Sequence, residues 1–357
     1  MNGCYQYDIL RKKYKNFTDP AIKVKIGSTS ILAQKEIALV MAEVTLSLTT
    51  AGSAYFVFAG AYDQDRHQLL GKFKNQLKLG KIVQVELGYG SSTKLVFKGY
   101  LASVNYQFSA ESGISAAVTA LDARRLMMTD NRPYLQYEDS NYSDIVKKIM
   151  KRYGKLCTLS CDATVDKLKE PVTQRVSDYD FIVRELIGTG KTDREFFIVG
   201  EKAYFRKPHS NQMALITLGM DMGLSAYSRT TDYMSRKIEV QGYNPKQDSV
   251  VRGTAKASCL GNKEKVISSG VTVLVDSQCK KESVARSMAQ TIADQLRWGT
   301  CRSEGACVGL PEMIPGRFLK IKEMDAELNR KYYITKVTHK IDEDGFTTEF
   351  ETEGWIP

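Results

Sequence analysis

From residue 20 onward apolar and polar positions alternate. Ile22, Val24 and Ile26 fall on one side and Lys23 and Lys25 on the other, and a period of two predicts a half-buried strand. Two further strands at 42–48 and 54–59 flank a Thr-Thr-Ala-Gly-Ser turn, which is hairpin chemistry. Over 65–78 the period changes: Leu70, Phe73 and Leu77 stand at helical spacing with lysines opposite, and Gly80 closes the segment. A short amphipathic helix is predicted to interrupt the sheet. Strands resume at 82–87, 95–108 and 114–121, so residues 20–125 read as a mostly antiparallel barrel or sandwich.

The middle of the chain has a different period. Asn141 can cap a helix with Asp144 at its third position, after which Tyr142, Ile145, Val146, Ile149, Met150 and Tyr153 make one apolar face that ends at Gly154. A second helix is predicted from Ser177, with Tyr179, Ile182, Val183, Leu186 and Ile187 buried, followed by a hairpin of strands 195–199 and 203–206. Strand character returns at 238–243. A long helix over about 281–298 carries Val284, Met288, Ile292 and Leu296 along one stripe, and strands at 318–322, 332–341 and 347–352 close the chain. The expected class is α+β, mainly β: two barrel-like units at 1–130 and 231–357, similar in plan, around an inserted α+β unit at 131–230.

Composition narrows the class without naming a chemistry. At 357 residues the chain suits two or three units of ordinary size, and 43% hydrophobic with 26% charged residues is the balance of a folded globular protein. No apolar run is long enough for a membrane-spanning helix, and the first residues lack the pattern of an export signal, so neither is expected. The net charge of +10 is concentrated in the first third, where Lys and Arg outnumber Asp and Glu by 16 to 10. Arg66, Lys72, Lys74, Lys78, Lys81, Lys94 and Lys98 are answered by few acids nearby and could share one positive surface. Of these, Lys72, Lys74, Lys78 and Lys81 are the candidate interface residues, facing an acidic neighbour.

Other chemistry finds little support. Seven cysteines at irregular spacing and three scattered histidines, His67, His209 and His339, do not make a metal pattern, so reduced thiols and no metal or other cofactor are expected. The run Ile187-Gly-Thr-Gly-Lys-Thr192 ends like a phosphate loop, but Glu185 stands where its first glycine belongs and the segment leaves a helix instead of opening one. A glycine-rich helix end explains it. No serine or cysteine has a recognisable nucleophile setting, and no catalytic residue is assigned.

Three groups of residues carry a family resemblance. Gly80-Lys-Ile-Val-Gln-Val-Glu-Leu-Gly-Tyr89, Val96-Phe-Lys-Gly-Tyr-Leu-Ala-Ser-Val104 and Val118-Thr-Ala-Leu-Asp-Ala123 resemble the first barrel of phage late control protein D, a baseplate hub of contractile tails related to the N-terminal part of type VI secretion spike proteins. Residues 177–186 with 195–205 are similar to that family's helix and hairpin, and 315–319, 332–339 and 345–350 to its closing strands. The resemblance implies a non-enzymatic hub: a homotrimer of two-barrel chains matching a sixfold tail tube above and a threefold spike below. Implied partners are the tail tube protein, a separate spike protein, other baseplate proteins and a tape-measure protein, in a particle assembled in the bacterial cytoplasm. The alternative left open by the residues is a β-rich binding or hydrolytic module acting on nucleic acid or an anionic cell-wall polymer.

Overall fold

Each strand expected from period-two alternation is present in the computed structural model, which describes residues 4–33, 36–110, 113–129, 134–164, 168, 170–210, 213–259 and 269–355. The boundary expected at 130–131, part of the turn at 109–113 and the last two residues lie outside this set. Along the chain run β1 (Cys4–Gln6), α1 (Tyr7–Lys13), β2 (Pro20–Ile26), β3 (Ala38–Ser47), β4 (Ser53–Ala59), α2 (Gly71–Gln76), β5 (Ile82–Tyr89), β6 (Ser92–Ser109) and β7 (Gly113–Leu121). The middle holds α3 (Tyr142–Met150), β8 (Thr158–Cys161), β9 (Glu195–Val199), β10 (Lys202–Arg206), β11 (Leu215–Gly219) and β12 (Leu224–Thr231). The last part holds β13 (Ser235–Asn244), β14 (Ser249–Ser258), β15 (Gly270–Val275), α4 (Glu282–Trp298), β16 (Cys301–Val308), β17 (Phe318–Lys322), β18 (Lys331–Asp342) and β19 (Gly345–Gly354).

Fourteen strands join in one sheet, ordered β1, β11, β17, β18, β3, β4, β7, β6, β5, β2 and a two-residue strand, Thr29–Ser30. A branch leaves β18 on its other side through β19 and β16 to β12. Strand β18 makes the junction because it changes partner along its length: Lys331 to Tyr333 pair with β17, and after a bulge between Ile334 and Lys336 the rest pairs with β3. A bulge kinks a strand and increases its twist, which lets one strand serve two diverging layers. The sheet packs over a core that includes Phe56, Phe58, Phe73, Val85, Tyr332 and Val337, all essentially unexposed; each such side chain contributes about 2 kcal/mol by leaving water.

These pairings correct the expected architecture. Mainly β with helices stands, but neither end closes into a barrel: the sheet is an open, branched path. The expected division at 130 and 230 does not divide the sheet either, because β18 hydrogen-bonds β3 and β11 lies between β1 and β17. Residues 235–259 and 269–298 are not part of the large sheet. They form their own three-stranded sheet, ordered β14, β13, β15, against α4, with a separate core of Ile238, Val240, Ala285, Met288, Ala289 and Ala293.

Helix details shift for local reasons. The expected helix over 65–78 shrinks to α2, since residues 62–69 are taken by a small two-stranded ladder. In α4 the buried residues are Ala285, Met288, Ala289 and Ala293, while Val284 is exposed. Gly253 of β14 explains the change: a side chain there would sit on the backbone of Ala285 and Arg286, so at this crossing the helix lies close enough to the sheet to favour alanine, while Met288, Ile292 and Leu296 of the expected stripe still pack on the core. The segment after Ser177 is helical, as expected, but widens over Phe181–Ile187, where Gly188 N–H reaches back five residues to Val183 O at 2.9 Å.

Candidate functional site

The short helix α2 is held down by Phe73, which meets Phe58 edge to face at 5.7 Å, and by buried Leu77. This anchoring leaves Lys72, Lys74 and Lys78 exposed, and no ion pair among the described residues involves them. Lys81 is separate: half-buried, it donates to Asn75 O at 2.8 Å and fastens the end of the helix. The wider positive surface does not form. Arg66 pairs with Asp63, Lys98 turns to Glu201 at 4.0 Å, and Lys94 is half-buried near Glu312. For Lys94 and Lys98, four residues apart, the cause is a bulge at Val96 of β6, opposite the step from Val85 to Glu86, which turns the two lysines to opposite faces.

Two open edges bound the eight strands β12, β16, β19, β18, β3, β4, β7 and β6. Among the described residues, β12 at one end pairs only with β16. At the other, β6 loses its partner β5 after Tyr100, so that residues 102–108 pair with β7 alone. This free stretch carries no charge and presents Val104, Tyr106 and Phe108 on one face, the last two 44% and 77% exposed. The eight residues of β12 carry one charge, Arg229, and it is tied to Glu327 at 2.5 Å. Natural edge strands are normally guarded by lysine, proline or brevity. Neither of these edges has such a guard among the described residues, although each strand carries a bulge near one end, at Ser225 of β12 and Ala102 of β6.

Between the edges one face of the layer is polar. Thr45 and Thr338 meet at 3.3 Å, Lys336 reaches Glu351 at 2.7 Å, and a shallow depression of about 270 Å³ is lined by Glu304, Lys336, Thr338, Glu349 and Glu351. Asn105 and Gln107 continue the polar face on β6.

The remaining ionisable clusters are buried ties between segments. Glu312 accepts from Lys13 Nζ and Tyr14 OH, each at 2.8 Å, and its backbone carbonyl accepts from Arg317 Nη1 at 2.6 Å. Burial opposes its ionisation, yet Lys13, Lys94 and Tyr14 outweigh burial and hold its carboxyl below the usual range. Burial, helped by the charge of Arg317, lowers Lys94 to about 8. His339 is enclosed nearby with Nδ1 2.9 Å from Thr348 Oγ1, and burial lowers it to about 4. Glu195, buried between Arg206 Nε at 2.9 Å and Tyr333 OH at 2.6 Å, ties the middle segment to β18.

Elsewhere, His67 is exposed in a turn, and His209 stacks on Trp298 at 3.8 Å while contacting Glu353 at 2.8 Å. The three histidines occupy unrelated surroundings. No group of three or more His, Cys, Asp or Glu among the described residues is placed to hold a metal. The amides of Gly188, Gly190 and Thr192 are all spent on carbonyls of the preceding helix, as a helix end requires. Sequence reasoning missed the two open edges; the uncharged alternation of Val104, Tyr106 and Phe108 was the signal available.

The family model described as the Alg8 N-terminal domain matches residues 20–343. The chain belongs to that family. That family is not the late control protein D family that the sequence resembles. No curated protein sequence matches the chain. Among solved structures, this Alg8 N-terminal domain chain is similar to the 43 kDa tail protein of prophage MuSo2 from Shewanella oneidensis, with 13% identity, 94% of this chain and 98% of that one covered, and a TM-score of 0.71. It is also similar to a tail protein from Neisseria meningitidis, at 11% identity, 94% and 96% coverage and a TM-score of 0.69. An E. coli component of the type VI secretion system, described as structurally similar to T4 bacteriophage tail proteins, matches at 14% identity, 94% and 77% coverage and a TM-score of 0.61. The fold of this member of the family is therefore one shared with tail proteins.

Proposed function

We propose that the chain is a structural, non-enzymatic hub subunit of a tail-like injection particle, of the kind that late control protein D represents. Three copies join edge to edge, β12 of one against residues 102–108 of β6 in the next, and the ring adapts a sixfold tail tube to a threefold spike carried by a separate protein. The observation that carries this reading is the pair of unguarded edges bounding one eight-strand layer. Two different edges that fit each other make a head-to-tail contact, and such contacts generate rings when the rotation closes. The polar face of the layer can then line the ring while Tyr106 and Phe108 are covered. The shared fold with tail proteins supports the same reading, as does the prophage origin of one of them. Tube, baseplate and tape-measure proteins are the partners, and the particle, assembled in the cytoplasm, is the location. The alternative of a polyanion-binding module loses its footing because the basic residues do not share one surface.

The test is assembled material. Image analysis of particles containing this chain is expected to find three copies at one end, with β12 beside β6 across each junction; any other copy number overturns the hub reading. Replacing Tyr106 and Phe108 together by lysine is expected to leave the isolated chain folded and to abolish ring formation, read by native mass spectrometry.

A further inference from the structure

A third open edge lies outside the eight-strand layer and outside the ring reading. In the small sheet β13 is central, β14 pairs on one side and β15 on the other, so among the described residues β15 is an edge strand. Its sequence, Gly-Val-Thr-Val-Leu-Val, has no charge, no proline and no bulge. Leu274 packs with the core beneath α4, which fixes the alternation: Val271, Val273 and Val275 point away from the helix and are 61%, 51% and 73% exposed. The helix itself meets the rest of the molecule at Met288 and at its C-terminal end. Gly190 lies against Met288, Trp298 stacks on His209 and contacts Phe318, and Arg297 sits over Trp355. The small sheet is thus an outer layer, and its valine row faces outward.

The N-terminal end of this edge carries a charge. Arg236 is the registered partner of Gly270, and because that partner is glycine its guanidinium is not screened from the edge; a Cβ at Gly270 would lie 3.6 Å from Arg236 Nε. Arg236 is exposed and takes part in no ion pair among the described residues. Behind the valines, the outward face of β13 and β14 holds Lys237, Arg252 and Lys256 against the single acid Glu239.

Six residues make an edge about 20 Å long and one strand spacing, about 5 Å, wide. That is far less than the roughly 800 Å² per partner of a stable interface between globular surfaces. What fits is an extended peptide, whose backbone satisfies the open edge while alternate side chains find the valines. We propose that β15 receives an extended segment of a partner protein, with an acidic residue opposite Gly270 and apolar residues opposite Val271, Val273 and Val275. The acid pairs with Arg236 in a charge-assisted hydrogen bond. The basic surroundings favour acidic flanks on the same segment.

The probe is a dye-labelled peptide, Glu-Val-Thr-Val-Thr-Val between Gly-Ser linkers, made in that order and in reverse and titrated into the full chain by fluorescence anisotropy. One order is expected to bind saturably. Arg236→Gln is expected to weaken that peptide about tenfold and to leave its Thr-led counterpart unchanged. Val273→Lys should abolish binding, and Val273→Thr, which keeps the β-branched shape, should only weaken it; circular dichroism and the melting midpoint check that both variants fold. Methylating the peptide amides along one edge should eliminate binding, while methylation along the other edge leaves it intact. The proposal is overturned if neither order saturates by about 1 mM, if both methylated peptides bind alike, which is apolar adhesion, or if the chain self-associates through β15 and Val273→Lys disperses it, which makes a second copy the occupant.

Discussion

Glu312 and His339 show what single residues contribute that no spacing rule reveals. Tyr14 and Glu312 are 298 positions apart, and nothing in the chain near either one announces the other. Removing the carboxylate by Glu312→Ala leaves the buried Tyr14 hydroxyl without its acceptor, so a loss of about 1–3 kcal/mol is expected in chemical denaturation; Lys13, nearly half-exposed, loses less when truncated. His339 has a folded pKa of about 4, below its unfolded value near 6.5. The unfolded state therefore binds the proton first. The stability this histidine contributes is complete above pH 6.5 and declines as pH falls towards 4, by on the order of 3 kcal/mol. His339→Gln is expected to flatten the melting midpoint over that window. By contrast the exposure of Lys72, Lys74 and Lys78 was legible from helical spacing, and that of Lys81 was not, because its contact with Asn75 depends on how the helix ends.

Elements were legible where one face is buried and one is wet. The cap of α3 is an example: Asn141 Oδ1 accepts from Asp144 N–H at 2.8 Å, as the spacing predicts, and Asn141→Ala is expected to cost about 1 kcal/mol. Strand β12 escaped notice for the opposite reason. Its sequence, Leu-Ser-Ala-Tyr-Ser-Arg-Thr-Thr, lacks an apolar period, because its place is fixed by backbone pairing to β16 and not by burial. The stripe expected on α4 shifted because close approach to Gly253 selects alanine over larger side chains. Gly253→Ala should push the helix off the sheet, with an expected loss of about 1–3 kcal/mol and weakened packing in the core around Met288, measurable by thermal unfolding and by methyl NMR.

At the scale of the whole molecule the sequence indicated two β-rich ends and a mixed middle, but not that the ends share a sheet. Periodicity reports which residues are buried; it does not say which strand lies beside which. The family resemblance supplied an order of parts, and the structure replaced the two barrels with one branched sheet. Charge reversal of Lys72, Lys74 and Lys78 to glutamate belongs to this scale. It should leave folding intact, since exposed substitutions usually change stability by about 0.5 kcal/mol each, and is expected to impair particle assembly; normal particles would remove the lysines from the interface and leave the ring reading standing.

The junction at β18 has a consequence for how the chain is made. Its partner β3 emerges from the ribosome almost three hundred residues earlier, so one side of β3 must wait, unpaired, until β18 is made. Contacts of such long sequence separation form slowly, and waiting strand edges are points of aggregation. A chain ending at residue 330 should therefore fold its middle helices yet precipitate through the exposed side of β3, while supplying residues 331–355 as a separate peptide should rescue it. For this protein strands β18 and β19 are expected to decide whether the first third stays in solution.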